Sequence, residues 1–257
     1  MARKKQRMIP VLILLVILLA IGTWVVLRTH RVAAPQAVAT KTTQQASESP
    51  TKSKDVAKDA FDKTQYSLDD PASLWVVVNK QRPLQPKTYA PNDLTSIGGG
   101  RQLRRAAAEA LQQMLADAKA AGYTVTAASA YRSYERQVVV YNSEVSAHGQ
   151  TVADSQSARP GTSEHQTGWA VDLASGGCSI TDCFGDTPGG KWVTEHAAEY
   201  GFLLRYQASK QSVTGYRAES WHFRYIGTAL AEEMKKQHIL TLEEFFGLPA
   251  APDYPNE

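Results

Sequence analysis

Two short segments hold side chains of the kinds that bind and use a hydrolytic metal. His165 and Asp172 stand in Ser163-Glu164-His165-Gln166-Thr167-Gly168-Trp169-Ala170-Val171-Asp172, and His222 closes Glu219-Ser220-Trp221-His222. A catalytic zinc takes three protein ligands and keeps one position open for water, and imidazole and carboxylate both suit it. His165 and Asp172 bracket a turn and a strand, and His222 lies on a later strand, so two neighbouring strands could bring all three to one point. The metal lowers the pKa of its water towards ~7, and a base must then stand beside that water. Glu219, three residues ahead of His222, can overhang the open position without being a ligand. Metal, nucleophile and base are all provided for.

The elements that must carry these residues follow from local pattern. Gly168–Ala174 alternates and reads as a strand, as do Tyr123–Ser129, Phe202–Tyr206 and Trp221–Ile226. Gln102–Ala121 has Leu103, Ala107, Leu111, Met114, Leu115 and Ala118 at helical spacing, with Gly122 as a stop. Ser133 caps a second helix that runs to about His148. Trp192–Tyr200, Gly227–Lys236 and Leu242–Phe246 read as further helices. Ser73–Asn79 (SLWVVVN) is an apolar strand or extended arm, Arg82–Gly100 an irregular segment, and Ser155–Gln166 a polar loop. Helices flank a small antiparallel sheet that carries the zinc site, an α+β arrangement. On a strand, alternation would turn Glu164 away from His165 and leave it a structural role.

The two segments resemble the VanY-type D-alanyl-D-alanine carboxypeptidases and the related L,D-carboxypeptidases, zinc peptidases with a hedgehog/lysostaphin-like active site. The pattern S-x-H-x-x-G-x-A-x-D followed by E-x-W-H is matched by Ser163, His165, Gly168, Ala170, Asp172, Glu219, Trp221 and His222. Ser129-Ala130-Tyr131-Arg132-Ser133 with Gln137 is similar to the S-x-Y-R-S-x-x-x-Q segment of the same group. Ser220 and Ala130 depart from the residues common there. The resemblance, which spans about Pro71–Phe246, implies Zn2+ held by His165, Asp172 and His222, with Glu219 as catalytic base. It implies Arg132 as the cation facing the substrate, a job for which a guanidinium fork is suited. Tyr131, Ser133, Gln137 and Ser163 are the expected substrate-binding residues. The implied reaction removes the C-terminal D-alanine from peptidoglycan stem peptides. Removal from a pentapeptide (D,D) is the leading expectation and from a tetrapeptide (L,D) the alternative. An endopeptidase and a catalytically silent wall-binding module are further readings; intact Glu219 and Arg132 weigh against the silent one.

Other candidates have plainer readings. His30, His148, His196 and His238 are surface or core residues, Trp169, Trp221 and Tyr131 are packing residues, and Asp182 and Asp186 lack the spacing of a calcium loop.

Ile9–Leu27 is an almost unbroken apolar run of 19 residues, long enough at ~1.5 Å per residue to cross a bilayer core. Arg3, Lys4, Lys5 and Arg7 precede it, so the N-terminus is expected inside and the rest outside. A cleaved signal peptide ending near Ala37-Val38-Ala39 is the alternative. The expected division is a tip and transmembrane anchor over 1–31, a disordered stalk rich in Ala, Thr, Gln, Ser and Lys over 32–65, the zinc domain over 66–248, and a tail over 249–257. That makes a single-pass membrane protein with its catalytic domain on the cell-wall side. In such a compartment Cys178 and Cys183 read as a disulfide. Six of the 28 basic residues flank the apolar run, leaving 22 against 25 acidic ones. This is no nucleic-acid footprint.

Overall fold

A computed structural model describes residues 61–255. The anchor, the signal-peptide alternative and the stalk up to residue 60 lie outside the described residues. Among those described, no helix is long and apolar enough to cross a membrane.

Among the described residues, seven strands and seven α-helices follow one another: β1 (Leu94–Gly98), β2 (Arg101–Arg104), α1 (Arg105–Ala120), β3 (Val125–Ser129), α2 (Tyr134–His148), α3 (Gln150–Gln156), β4 (Ala170–Ser175), β5 (Cys178–Ser179), α4 (Pro188–His196), β6 (Phe202–Tyr206), α5 (Gln211–Thr214), β7 (Glu219–Tyr225), α6 (Thr228–Gln237) and α7 (Leu242–Phe246). The main sheet is antiparallel in the order β3-β4-β7-β6, with β5 paired to β4. This is the expected α+β class.

Strand alternation divides the sheet into two unlike faces. Val171, Leu173, Trp221, Phe223 and Phe202 point into the main core, against Ala107, Leu111, Met114 and Ala118 of α1 and Val193 of α4. The intervening residues, Asp172, His222, Arg224 and Arg205, are buried on the opposite face. The apolar half of the pattern therefore fixes the polar half in place.

Two expectations are corrected. The first helix begins at Arg105, because Arg101–Arg104 belong to a hairpin with Leu94–Gly98. Gly98, Gly99 and Gly100, all at positive φ, make its turn. Part of the polar stretch after α2 is helical, as the short α3 and as a 3-10 turn over Glu164–Thr167. Of the two readings of the SLWVVVN run, the extended arm holds, for it joins no sheet. Val76 and Val78 face the main core, whereas Trp75 and Val77 face a second core built with Ile226, Leu230, Met234, Leu242 and Phe245. The run alternates because it bridges two cores, and side chains satisfy much of its backbone: Arg224 donates to the Leu74 and Val76 carbonyls and Arg82 to that of Val77.

Packing reaches back beyond the expected start of the domain, for Phe61 stacks on Trp75 at 5.6 Å. It also reaches into the tail, where Ala251 is fully buried. Cys178 and Cys183 form the expected disulfide.

Candidate active site

Asp172 sits at the middle of the polar face, opposite Ser129 of β3 on one side and His222 of β7 on the other. His165 arrives from the 3-10 turn. The turn ends at Gly168 with φ +73°, and a Cβ there would lie 2.8 Å from the Arg104 side chain, so only glycine fits. The His165 carbonyl accepts from the Arg132 backbone N–H at 3.1 Å. This ties the turn to the β3–α2 loop.

One potential ligand atom from each of His165, Asp172 and His222 lies within 4.8 Å of the others. Asp172 Oδ2 is 3.2 Å from His165 Nε2, and Asp172 Oδ1 is 3.1 Å from His222 Nδ1. The far nitrogens are engaged elsewhere. His165 Nδ1 donates to the Ala130 carbonyl at 2.8 Å, and His222 Nε2 faces the Glu164 carboxylate at 3.4 Å. In the neutral rings that metal ligation requires, those acceptors fix the tautomers that turn two imidazole lone pairs inward. Two imidazole nitrogens and a carboxylate, each backed by an outer partner, are a donor set that fits a zinc.

By themselves, the surrounding carboxylates favour positive charge at this point, on His222. Burial opposes charging His222, yet hydrogen bonds to Asp172 and Glu164, with the charges of Asp172 and Glu219, push it up to about 10. At His165 burial wins and lowers the pKa. Glu219 Oε2 lies 3.7 Å from His222 Nδ1, beside the atom that would ligate. Burial raises its carboxyl to about 7, against the pull of His222 and with Asp172 adding to the rise. A base poised near neutrality is suited to exchanging protons with water.

Arg132 lies on the same cleft. Its Nη1 donates to Gln137 Oε1 at 2.9 Å and its Nη2 to Ser129 Oγ at 3.1 Å. Neither Glu135 nor Asp154 pairs with it; Asp154 is taken by Arg159. A half-buried guanidinium held by neutral acceptors, with the charges of Asp172 and Glu219 opposing the effect of burial, keeps its charge for an anionic ligand.

Of the four expected substrate-binding residues, Gln137 and Ser163 line the cleft, while Tyr131 and Ser133 do not. Gln137 is fully buried, with its amide spent on Arg132 and the Ala158 carbonyl. Ser133 caps α2 by accepting from the Arg136 N–H. The cleft, about 540 Å³, extends from the three candidate ligands along α2 and α3, past Val140, Glu144, His148 and Val152, to Ile180, Tyr216 and Arg217. His148 apart, these wall residues carry no signal in the sequence, nor does Tyr206, whose ring lies 4.9 Å from that of His222. Glu164 has the structural role expected of it, as the buried partner of Arg205 and Arg224. That residue is on a 3-10 turn rather than a strand, so its carboxylate reaches the back of His222.

The family profile VanY, described as D-alanyl-D-alanine carboxypeptidase, matches residues 100–228, a span that contains Arg132, His165, Asp172, Glu219 and His222. A candidate carboxypeptidase of Bacillus subtilis, YodJ, is 37% identical over 235 residues, covering 80% of this chain and 85% of the relative. The chain belongs to the VanY family. It is an enzyme of that carboxypeptidase class. Two solved structures are similar to this VanY-family domain. One is the LD-carboxypeptidase LdcB, at 41% identity and TM-score 0.64 over 69% of this chain and 87% of that one. The other is a vancomycin-resistance D,D-pentapeptidase VanY in complex with Zn(II), at 31% identity and TM-score 0.59 over 66% of this chain and 97% of that one.

Proposed function

We propose that this VanY-family domain is a zinc-dependent carboxypeptidase that removes the C-terminal D-alanine from peptidoglycan stem peptides. The observation that carries this reading is the convergence of His165, Asp172 and His222, with Glu219 3.7 Å from the inward nitrogen of His222. Zinc held by those three residues would polarise the scissile carbonyl and acidify a water. Glu219 takes a proton from the attacking water and delivers it to the departing amine, so the catalytic base becomes the acid within one turnover. Arg132 binds the anionic end of the peptide or the oxyanion that develops at its carbonyl, and Gln137 and Ser129 hold the guanidinium in register. Ser163, buried on the cleft wall, contacts the peptide.

Among stem peptides, the tetrapeptide (L,D) reading has the stronger support, because likeness to LdcB stands at 41% identity against 31% for the D,D-pentapeptidase. The D,D reading, favoured from the sequence, stands second and is supported by the description of the family profile. The test is incubation of the purified protein with defined tetrapeptide and pentapeptide muropeptides, with and without a chelator, followed by mass spectrometry. Loss of D-alanine that chelation stops and zinc restores is expected. Turnover undiminished by chelation would overturn the metal reading.

The domain is also proposed to work on the cell-wall side of the membrane, tethered through 1–31. The apolar run after four basic residues and the Cys178–Cys183 disulfide support this. Protease treatment of intact cells should remove the domain; protection would refute the placement.

A further inference from the structure

Glu164 is a buried ionisable group that this mechanism leaves without a task. It is only 2% exposed and carries a negative charge beneath the sheet. Its Oε1 accepts from Arg205 Nε at 2.9 Å and from Arg224 Nη1 at 3.3 Å. Arg205 continues to Glu243 through two bonds of 2.9 and 2.7 Å, and Asn79 donates to the same carboxylate at 2.9 Å. Two buried carboxylates thus meet two buried guanidiniums, and the group is neutral without any contribution from His222. Its second oxygen, Oε2, has one partner among the described residues, His222 Nε2 at 3.4 Å. An ion pair serving stability alone would not need to aim an oxygen at that nitrogen.

We propose that Glu164 is a positioning residue for His222: it accepts the Nε2–H, fixes the tautomer that leaves Nδ1 facing Asp172, and is itself held by Arg205 and Arg224. This inference rests on the zinc reading above. A carboxylate behind a ligating imidazole sets its orientation and raises its basicity, and losing such a partner typically costs about 10–100-fold in metal affinity. Glutamine at 164 keeps the volume but can turn an amide N–H toward Nε2, which favours the tautomer that blocks Nδ1.

The experiment is zinc affinity by competition with a chromophoric chelator, read beside urea denaturation of the zinc-free proteins. The proteins are the wild type, E164Q, E164D and E243Q. E164Q should bind zinc about 10–100-fold more weakly than the wild type. E243Q also deprives Arg205 of a carboxylate and should be destabilised, yet it leaves His222 untouched and should keep wild-type zinc affinity. E164D preserves the charge opposite the two arginines while shortening the reach, so it should fold and still lose affinity. Wild-type zinc affinity in E164Q overturns the proposal, or in E164D should E164Q not fold. Equal losses in E164Q and E243Q also overturn it, since the effect would then be general loosening. A wild-type protein that binds no zinc at all would instead fail the functional reading beneath.

Discussion

Asp172 and His222 lie directly opposite each other on adjacent strands, and the two oxygens of Asp172 are shared between His222 Nδ1 at 3.1 Å and His165 Nε2 at 3.2 Å. The carboxylate is therefore the hinge of the ligand set. Asp172→Asn keeps the shape but removes the charge that draws a cation between the imidazoles. It should lower zinc affinity by more than the ~10–100-fold typical of outer-shell losses, and His222→Ala should do the same. Metal content of the dialysed variants checks this. A fully loaded and active His222→Ala protein would sink the assignment.

Glu219 stands beside the site without completing it. Glu219→Gln should retain zinc and fold while kcat falls by about 10²–10⁴-fold, the range for loss of a general acid–base. D-alanine release and zinc content measured on one sample separate the two effects. Near-wild-type turnover would remove Glu219 from the mechanism.

Arg132 gives its side-chain hydrogen bonds to the neutral acceptors Gln137 and Ser129. Arg132→Lys retains the charge but not the fork, and should reduce kcat/KM by about 10–100-fold, the scale of hydrogen bonds to a charged group. A peptide with an amidated C-terminus should be insensitive to the change if the guanidinium grips the terminal carboxylate. If both peptides suffer alike, its role is at the oxyanion.

Acid should weaken the fold through Glu243. Burial works to raise this carboxyl, but the charge and hydrogen bonds of Arg205, with a bond from Asn79, hold it below its ordinary 4.5. The stabilisation is therefore fully present above about pH 4.5 and is lost as pH falls through the lower folded-state value. Removing one partner of a buried pair costs about 3–5 kcal/mol, so Glu243→Gln should lose about that much in urea at pH 7. The gap between variant and wild type should close on acidification. A gap that widened in acid would contradict the sign.

The helices and central strands were legible because each buries one periodic face. The spacing of Ala107, Leu111, Met114 and Ala118 on α1 and the alternation of β4 and β7 both reappear as core contacts. The metal-ligand candidates were legible too, since their residue types and spacing are themselves the signal. The structural role of Glu164 was legible, but not its contact with His222, because a 3-10 turn directs side chains that a strand would send elsewhere. The cleft wall was invisible for a different reason. Val140, Val152, Ile180 and Arg217 come together only through tertiary packing, and none carries a pattern of its own. The hairpin over Leu94–Arg104 was masked by Leu103, which fits the helical spacing of α1 while being buried on a strand.

Ile180 sits on the cleft within the ring closed by Cys178 and Cys183, at φ +51°. A ring so short leaves its residues little freedom to surrender when a peptide arrives. Association is spared much of the ordering entropy that an open loop would exact. Discrimination along this wall then rests on whether a peptide suits a shape already made.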